Sequence, residues 1–103
     1  MFCMVLTTAQ GATTQKIIEV LLGQQLAACI QTMPMRSHYV WQGMLRDEAE
    51  DLLIIKAKAA DWPAVEAANR AVHDYETPEI LRFDIDAGSQ SYLDWIMQVT
   101  RRS

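Results

Sequence analysis

The chain reads as an α+β domain of the split βαβ type, with two helices laid on one face of a four-stranded antiparallel sheet. Three observations lead there. Apolar residues alternate between two-residue and 3.6-residue spacing in the order strand, helix, strand, strand, helix, strand, with a further helix at the C-terminal end. The two central strands follow one another with no room for a helix between them, so they form a hairpin. The 103 residues suffice for one core and not for two, which makes residues 1–103 a single domain.

Phe2 to Thr8 is the first strand, closed by the turn-prone Gln10-Gly11. A helix follows from Thr13, whose hydroxyl suits an N-cap, to Leu26, with Ile17, Ile18, Leu21 and Leu22 on one face. Ala27 to Met33 is extended and Arg36 to Leu45 resumes the strand. Pro34 between them has no N–H for a ladder, so the strand either bulges there or lies at a sheet edge. Asp47-Glu48 offers a polar turn. Asp51 to Lys58 then carries Leu52-Leu53-Ile54-Ile55, an apolar run expected of a strand buried on both faces.

Asp61 can cap a second helix, with Pro63 tolerated in its first turn and Trp62, Val65, Ala68 and Val72 facing inward. Glu79 to Asp86 alternates, with Leu81, Phe83 and Ile85 on one side, as in a half-buried strand. Gly88 and Ser89 open the last helix, where Tyr92, Trp95, Ile96 and Val99 form the apolar stripe. This is the ferredoxin-like βαββαβ order. A ten-residue hairpin arm is over ~30 Å long and outruns a domain this small, which exposes a strand edge to another chain.

Composition narrows the function classes. Nine basic against thirteen acidic residues give a net charge of −4, without the basic patch that phosphate backbones require, so nucleic acid is not an expected partner. No apolar run reaches membrane-span length, and the first residues lack the basic and apolar segments of a signal peptide. Cys3 and Cys29 fit no metal or redox spacing and read as reduced core thiols. The expected compartment is the cytoplasm.

Five blocks carry a family resemblance: Leu26-Ala27-Ala28-Cys29-Ile30, Tyr39-Val40-Trp41-Gln42-Gly43, Leu53-Ile54-Ile55-Lys56, His73-Asp74-Tyr75-Glu76-Thr77-Pro78-Glu79-Ile80 and Tyr92-Leu93-Asp94-Trp95-Ile96. In order and spacing they resemble the CutA family of divalent-cation tolerance proteins across nearly the whole chain. The resemblance implies a ferredoxin-like protomer assembled as a homotrimer, a role in divalent metal tolerance with Cu(II) or another divalent cation bound, and no enzymatic reaction. The fold also resembles PII-type signalling proteins, which implies a small-molecule sensor or scaffold as the alternative. Family members with proposed copper ligands carry a cysteine where this chain has Thr7, and some a second histidine where it has Val72; their proline after the histidine is Asp74 here.

Two constellations could carry chemistry. His73 closes the second helix, with the carboxylates of Glu76 and Glu79 just downstream, a donor set suited to copper or zinc. The competing reading has His73 capping the helix and Glu79 paired with Lys56 or Arg82. The second constellation is Tyr39, Trp41, Lys56, Tyr75 and Glu79, which would line a small-ligand cleft if the hairpin and the loop after the second helix meet at a subunit boundary. The competing reading makes Tyr39 and Trp41 subunit-interface core and Lys56 half of a buried or interfacial ion pair, and it is the one favoured for Trp41 and Lys56. An acylphosphatase-type enzyme on this fold would need a basic phosphate cradle after the first strand, and Thr7-Thr8-Ala9-Gln10-Gly11-Ala12 has none. No organic cofactor is implied.

Overall fold

The computed structural model describes residues 1–102. The elements run β1 (Phe2–Ala9), α1 (Gly11–Gly23), β2 (Cys29–Trp41), β3 (Met44–Lys58), a short 3₁₀ turn (Ala59–Asp61), α2 (Trp62–Val72), β4 (Ile80–Ile85) and α3 (Gln90–Val99). The sheet order is β2-β3-β1-β4, every neighbour antiparallel, so the ferredoxin-like arrangement is present.

The hairpin is longer than the polar pair Asp47-Glu48 implied, because the turn falls at Gln42-Gly43 and both of those acidic residues lie within β3. A two-residue hairpin loop of type I′ needs positive φ at both central residues, and Gln42 and Gly43 adopt φ of 52° and 76°. Glycine enters that region freely; the same turn through Asp47-Glu48 would place two side-chain-bearing residues there. β3 pairs with β1 only from Asp51 to Lys58, and its outer part pairs with β2 alone. The result is a two-stranded arm that draws the molecule out to 44 × 25 × 21 Å. Pro34 stays in ladder register opposite Asp51 because β2 is an edge strand.

α1 starts two residues before Thr13. Gln10 holds the N-cap position without a side-chain cap, and its amide instead donates to the Ala49 carbonyl at 2.7 Å. Thr13 and Thr14 are buried inside the helix, Thr14 donating to Asp51 Oδ2 at 2.9 Å. The helix ends at Gly23 because Gln25 turns left-handed (φ 56°), with Leu26 N–H bonded to the Leu21 carbonyl and Gln25 N–H to that of Leu22. This is a Schellman closure. It takes Leu26 out of the helix and seals it in the core, while Leu22 rotates to the surface.

Residues opposite one another on paired strands share a face. Cys3, Val5 and Thr7 lie opposite Ala57, Ile55 and Leu53, and all six are fully buried beneath the helices with Ile17, Leu21 and Val65. The other face carries Met4, Leu6, Leu52 and Ile54 beside Leu81 and Phe83, and the last two are 47% and 46% exposed. The apolar run Leu52–Ile55 is therefore buried on one face only within the protomer. The stripe of α3 is similarly uncovered: Ile96 is buried, whereas Tyr92, Trp95 and Val99 stay exposed.

Asp61 does not cap α2 with its side chain. Its carboxylate, 1% exposed, accepts from Arg101 at 3.2 and 3.3 Å and lies 3.9 Å from Lys58 Nζ, tying the residues after α3 to the domain. Lys58 also donates to the Arg101 carbonyl. Pro63 sits in the first turn of α2, as expected.

Candidate functional site

The hairpin arm leaves the sheet where β1 ends, and the segment 73–79 between α2 and β4 crosses that point. His73 anchors it. The α2 ladder ends with His73 N–H donating to the Asn69 carbonyl. The ring turns inward to a side-chain exposure of 1%. Its Nε2 lies 2.8 Å from the Thr8 carbonyl oxygen, which can only accept, so Nε2 bears the hydrogen. Nδ1 then accepts the Tyr75 backbone N–H at 3.3 Å. Both ring nitrogens are engaged, and the imidazole packs 4.7 Å from the Tyr75 ring.

Tyr75 reaches from this segment to the base of the arm, where its hydroxyl donates to Glu50 Oε2 at 2.7 Å. Burial, and then this bond, hold the phenol's pKa far above its ordinary value. On the arm, Tyr39 donates to Glu48 Oε1 at 2.6 Å, and that bond is the main cause of its raised pKa. Glu48 stands diagonal to Tyr39 across the ladder, where a long side chain can reach.

These groups line a cleft with two lobes. The larger, about 480 Å³, is walled by Thr8, Met35, Glu50 and Glu79; the smaller, about 280 Å³, by Arg46, Glu48 and Glu76. Tyr39, Trp41, Tyr75 and Thr77 line both. Four of the five residues of the expected cleft, Tyr39, Trp41, Tyr75 and Glu79, thus come together, and they do so within a single protomer, without a subunit boundary.

Lys56 does not join them. Register pairs it with Cys29 at the far end of β2, where its ammonium bonds Gln31 Oε1 at 2.9 Å and lies 5.9 Å above the Tyr92 ring. The expected pairing of Glu79 is also absent, since Lys56 is spent on Gln31 and Arg82 on Asp84 at 2.7 Å.

The metal set fares differently. Among the described residues no three His, Cys, Asp or Glu side chains converge as a group able to hold a metal ion. Glu76 and Glu79 line the cleft, but His73 has its Nδ1 lone pair committed to Tyr75. As folded in this protomer, His73, Glu76 and Glu79 do not fit a metal centre. Thr7 is buried on the helix side of β1 with its hydroxyl unpartnered.

Sequence reasoning misses two acidic groups of the cleft wall: it places Glu48 in a turn and does not single out Glu50. The signal was present as a two-residue alternation: Arg46, Glu48 and Glu50 share the face of Tyr39 and Trp41 once the turn is put at Gln42-Gly43.

A ferredoxin-like sheet with an overlong hairpin, and a mixed aromatic and acidic cleft at the hairpin's base, defines a class of small α+β domain. Comparison with known proteins narrows it. Residues 2–99 match the family model described as CutA1 divalent ion tolerance protein, and the chain belongs to that family. The chain is 32% identical over 96 residues to the divalent-cation tolerance protein CutA of Thermus thermophilus, covering 92% of this chain and 93% of that one. It is 36% identical over 84 residues to the chloroplastic protein CutA 1 of rice, covering 81% of this chain and 48% of that one. The chain therefore spans about half the length of the rice relative. The structure of the periplasmic divalent cation tolerance protein CutA from Archaeoglobus fulgidus superposes with a TM-score of 0.93 at 30% identity, covering 96% of this chain and 98% of that one.

Proposed function

We propose that this protein serves divalent-cation tolerance as a non-catalytic homotrimer that binds a small effector in the cleft at the base of the arm. The carrying observation is the convergence of β2, β3 and the 73–79 segment on one cavity, pinned by His73 and Tyr75. A histidine with both nitrogens spent on backbone partners is a strut, which supports the non-catalytic reading. The open apolar face around Leu6, Ile54, Leu81 and Phe83, with the unpaired edge of β2, supports assembly. Light scattering is expected to give three times the 11.7 kDa chain mass; a stable monomer would remove the trimer from the proposal. A metabolite panel followed by thermal shift tests the cleft, because a ligand of the folded state raises Tm.

Direct binding of Cu(II) or another divalent cation by His73, Glu76 and Glu79 is the second reading, favoured by both glutamates lining the cleft. It requires the imidazole to release Tyr75. Calorimetric titration with Cu(II), beside a His73→Ala variant of confirmed assembly, separates the two: binding lost in the variant supports the metal reading, and equal weak binding leaves the cleft. The two free cysteines support the cytoplasm as the compartment, which fractionation of the native host tests.

A further inference from the structure

We propose that the cleft selects an organic cation, an ammonium or guanidinium group on a short apolar stem, and rejects anions of the same size. The inference rests on the cleft reading above and names the chemistry of the occupant.

The hydrogen bonds of the lining come first. Tyr39 and Tyr75 could each donate a hydrogen to a ligand, but both hydroxyls donate to carboxylates, Glu48 and Glu50. What the phenols have left is lone pairs, so these four side chains offer a ligand only acceptors. The charges agree. Glu48, Glu50, Glu76 and Glu79 line the two lobes, and none forms an ion pair among the described residues. The basic groups of the lining are fewer: Arg36, already paired with Asp47, Arg46, and the His38 imidazole, so Arg46 is the one unpaired guanidinium set against four carboxylates.

The lining also contains three aromatic rings, Tyr39, Trp41 and Tyr75, with Met35 beside them. Aromatic rings attract a cation through their quadrupole and cover an apolar stem, a combination that suits an organic cation better than a bare ion. A hard metal ion instead demands several oxygens closing on one point, and no such convergence of three ligands is present among the described residues. An ammonium carries three donors on a rotating head and can satisfy acceptors that are spread apart. The larger lobe, about 480 Å³, is the size of ordinary small-ligand sites.

The test is calorimetric titration of the intact protein in cacodylate buffer, free of amines and of phosphate, which would sequester magnesium. The probes are n-butylammonium chloride, sodium butyrate and magnesium chloride, each against wild type, Glu50→Gln and Trp41→Leu. Glu50→Gln keeps an oxygen for the Tyr75 hydroxyl and removes only the charge; circular dichroism confirms the fold of both variants. The expected result is binding of n-butylammonium in about the millimolar range, weakened at least tenfold in Glu50→Gln and in Trp41→Leu, with no heat from butyrate. Butyrate binding that Trp41→Leu abolishes would overturn the cation class and leave the cleft reading standing. Magnesium binding in preference to butylammonium would overturn it in favour of a metal ion. Absence of binding by all three probes, with tryptophan fluorescence unmoved, would overturn the proposal; the metabolite panel then decides whether the cleft reading falls with it.

Discussion

On β3, Leu53, Ile55 and Ala57 are each fully buried beneath α1 and α2, while Leu45 on the same strand is 87% exposed. Both stretches are regular antiparallel ladder, so hydrogen bonding does not distinguish them. What differs is cover. The body of the sheet lies under two helices; the arm extends past them and holds its register through the Gln42-Gly43 turn, the Arg36–Asp47 pair and the Tyr39–Glu48 bond. Surface pairs of that kind contribute only about 0–1 kcal/mol each. An arm of this length is thus stabilised locally by little, and the open side of the sheet has no cover within the protomer.

The sharpest way to break that comparison is a matched pair of truncations. Ile55→Ala, in the body, is expected to cost about 2–5 kcal/mol in urea unfolding, from lost transfer energy and the cavity left behind. Leu45→Ala, on the arm, is expected to change protomer stability by less than about 0.5 kcal/mol. Equal losses would mean that the arm is covered after all. A Leu45→Ala loss that grows on dilution would assign the cover to a second copy of the chain.

His73 marks the boundary between the two regions. His73→Ala removes a buried ring and its bonds to Thr8 and to the Tyr75 backbone, and is expected to cost about 2–3 kcal/mol. The same variant should free the 73–79 segment, read as faster amide exchange at Tyr75 and Glu76. A loss below about 0.5 kcal/mol would fall to the level of an ordinary surface site and sink the strut assignment. At the far end of the arm, Gly43→Ala forces a side chain into φ 76°, which is expected to cost about 1–2 kcal/mol. Because the turn sets the register, that variant should also weaken the Tyr39–Glu48 bond, seen as a lower Tyr39 pKa in ultraviolet titration. An unmoved Tyr39 would show that cross-strand pairs hold the register without the turn.

Much of the fold was legible because period and punctuation agree along most of the chain. Ile17 and Leu21 at helical spacing, Pro63 in a first turn and Pro34 on an edge strand each follow from local sterics that the residues announce. The failures lie where two local rules compete. Asp47-Glu48 is turn-prone, but Gly43 accepts positive φ more cheaply and wins the hairpin. Thr13 can cap, but a start at Gly11 lets Gln10 bond the Ala49 carbonyl and Thr14 bond Asp51. The cleft was half legible for a different reason. Tyr39, Trp41 and Tyr75 were identifiable as unusual residues, whereas the separation of Lys56 from them depends on register, which places it opposite Cys29. Register is set at the hairpin turn, far along the strand from Lys56, and the stretch around Lys56 does not state it.

A milder loss tests the seam between body and arm at one bond. Tyr75→Phe keeps the ring against His73 and deletes the hydroxyl that donates to Glu50, so it should cost about 0.5–1.5 kcal/mol at pH 8. The pH dependence carries more information than the loss itself. In the folded protein the Tyr75 pKa is raised, first by burial and then by Glu50, above the ordinary value of 10.0. The unfolded chain therefore gives up this proton first. The stabilisation is complete below about pH 10 and declines as pH rises above it. Cys3, raised by burial above its ordinary 9.0, adds a decline of the same sign that begins earlier and belongs to the body. Urea unfolding between pH 8 and 11, on Cys3→Ala with and without Tyr75→Phe, isolates the tyrosine. The double variant should show the shallower fall above pH 10. Identical slopes would mean that the phenol is as free to ionise in the folded protein as in the unfolded chain. The base of the arm would then be open to water and the Tyr75–Glu50 bond would not join the two regions.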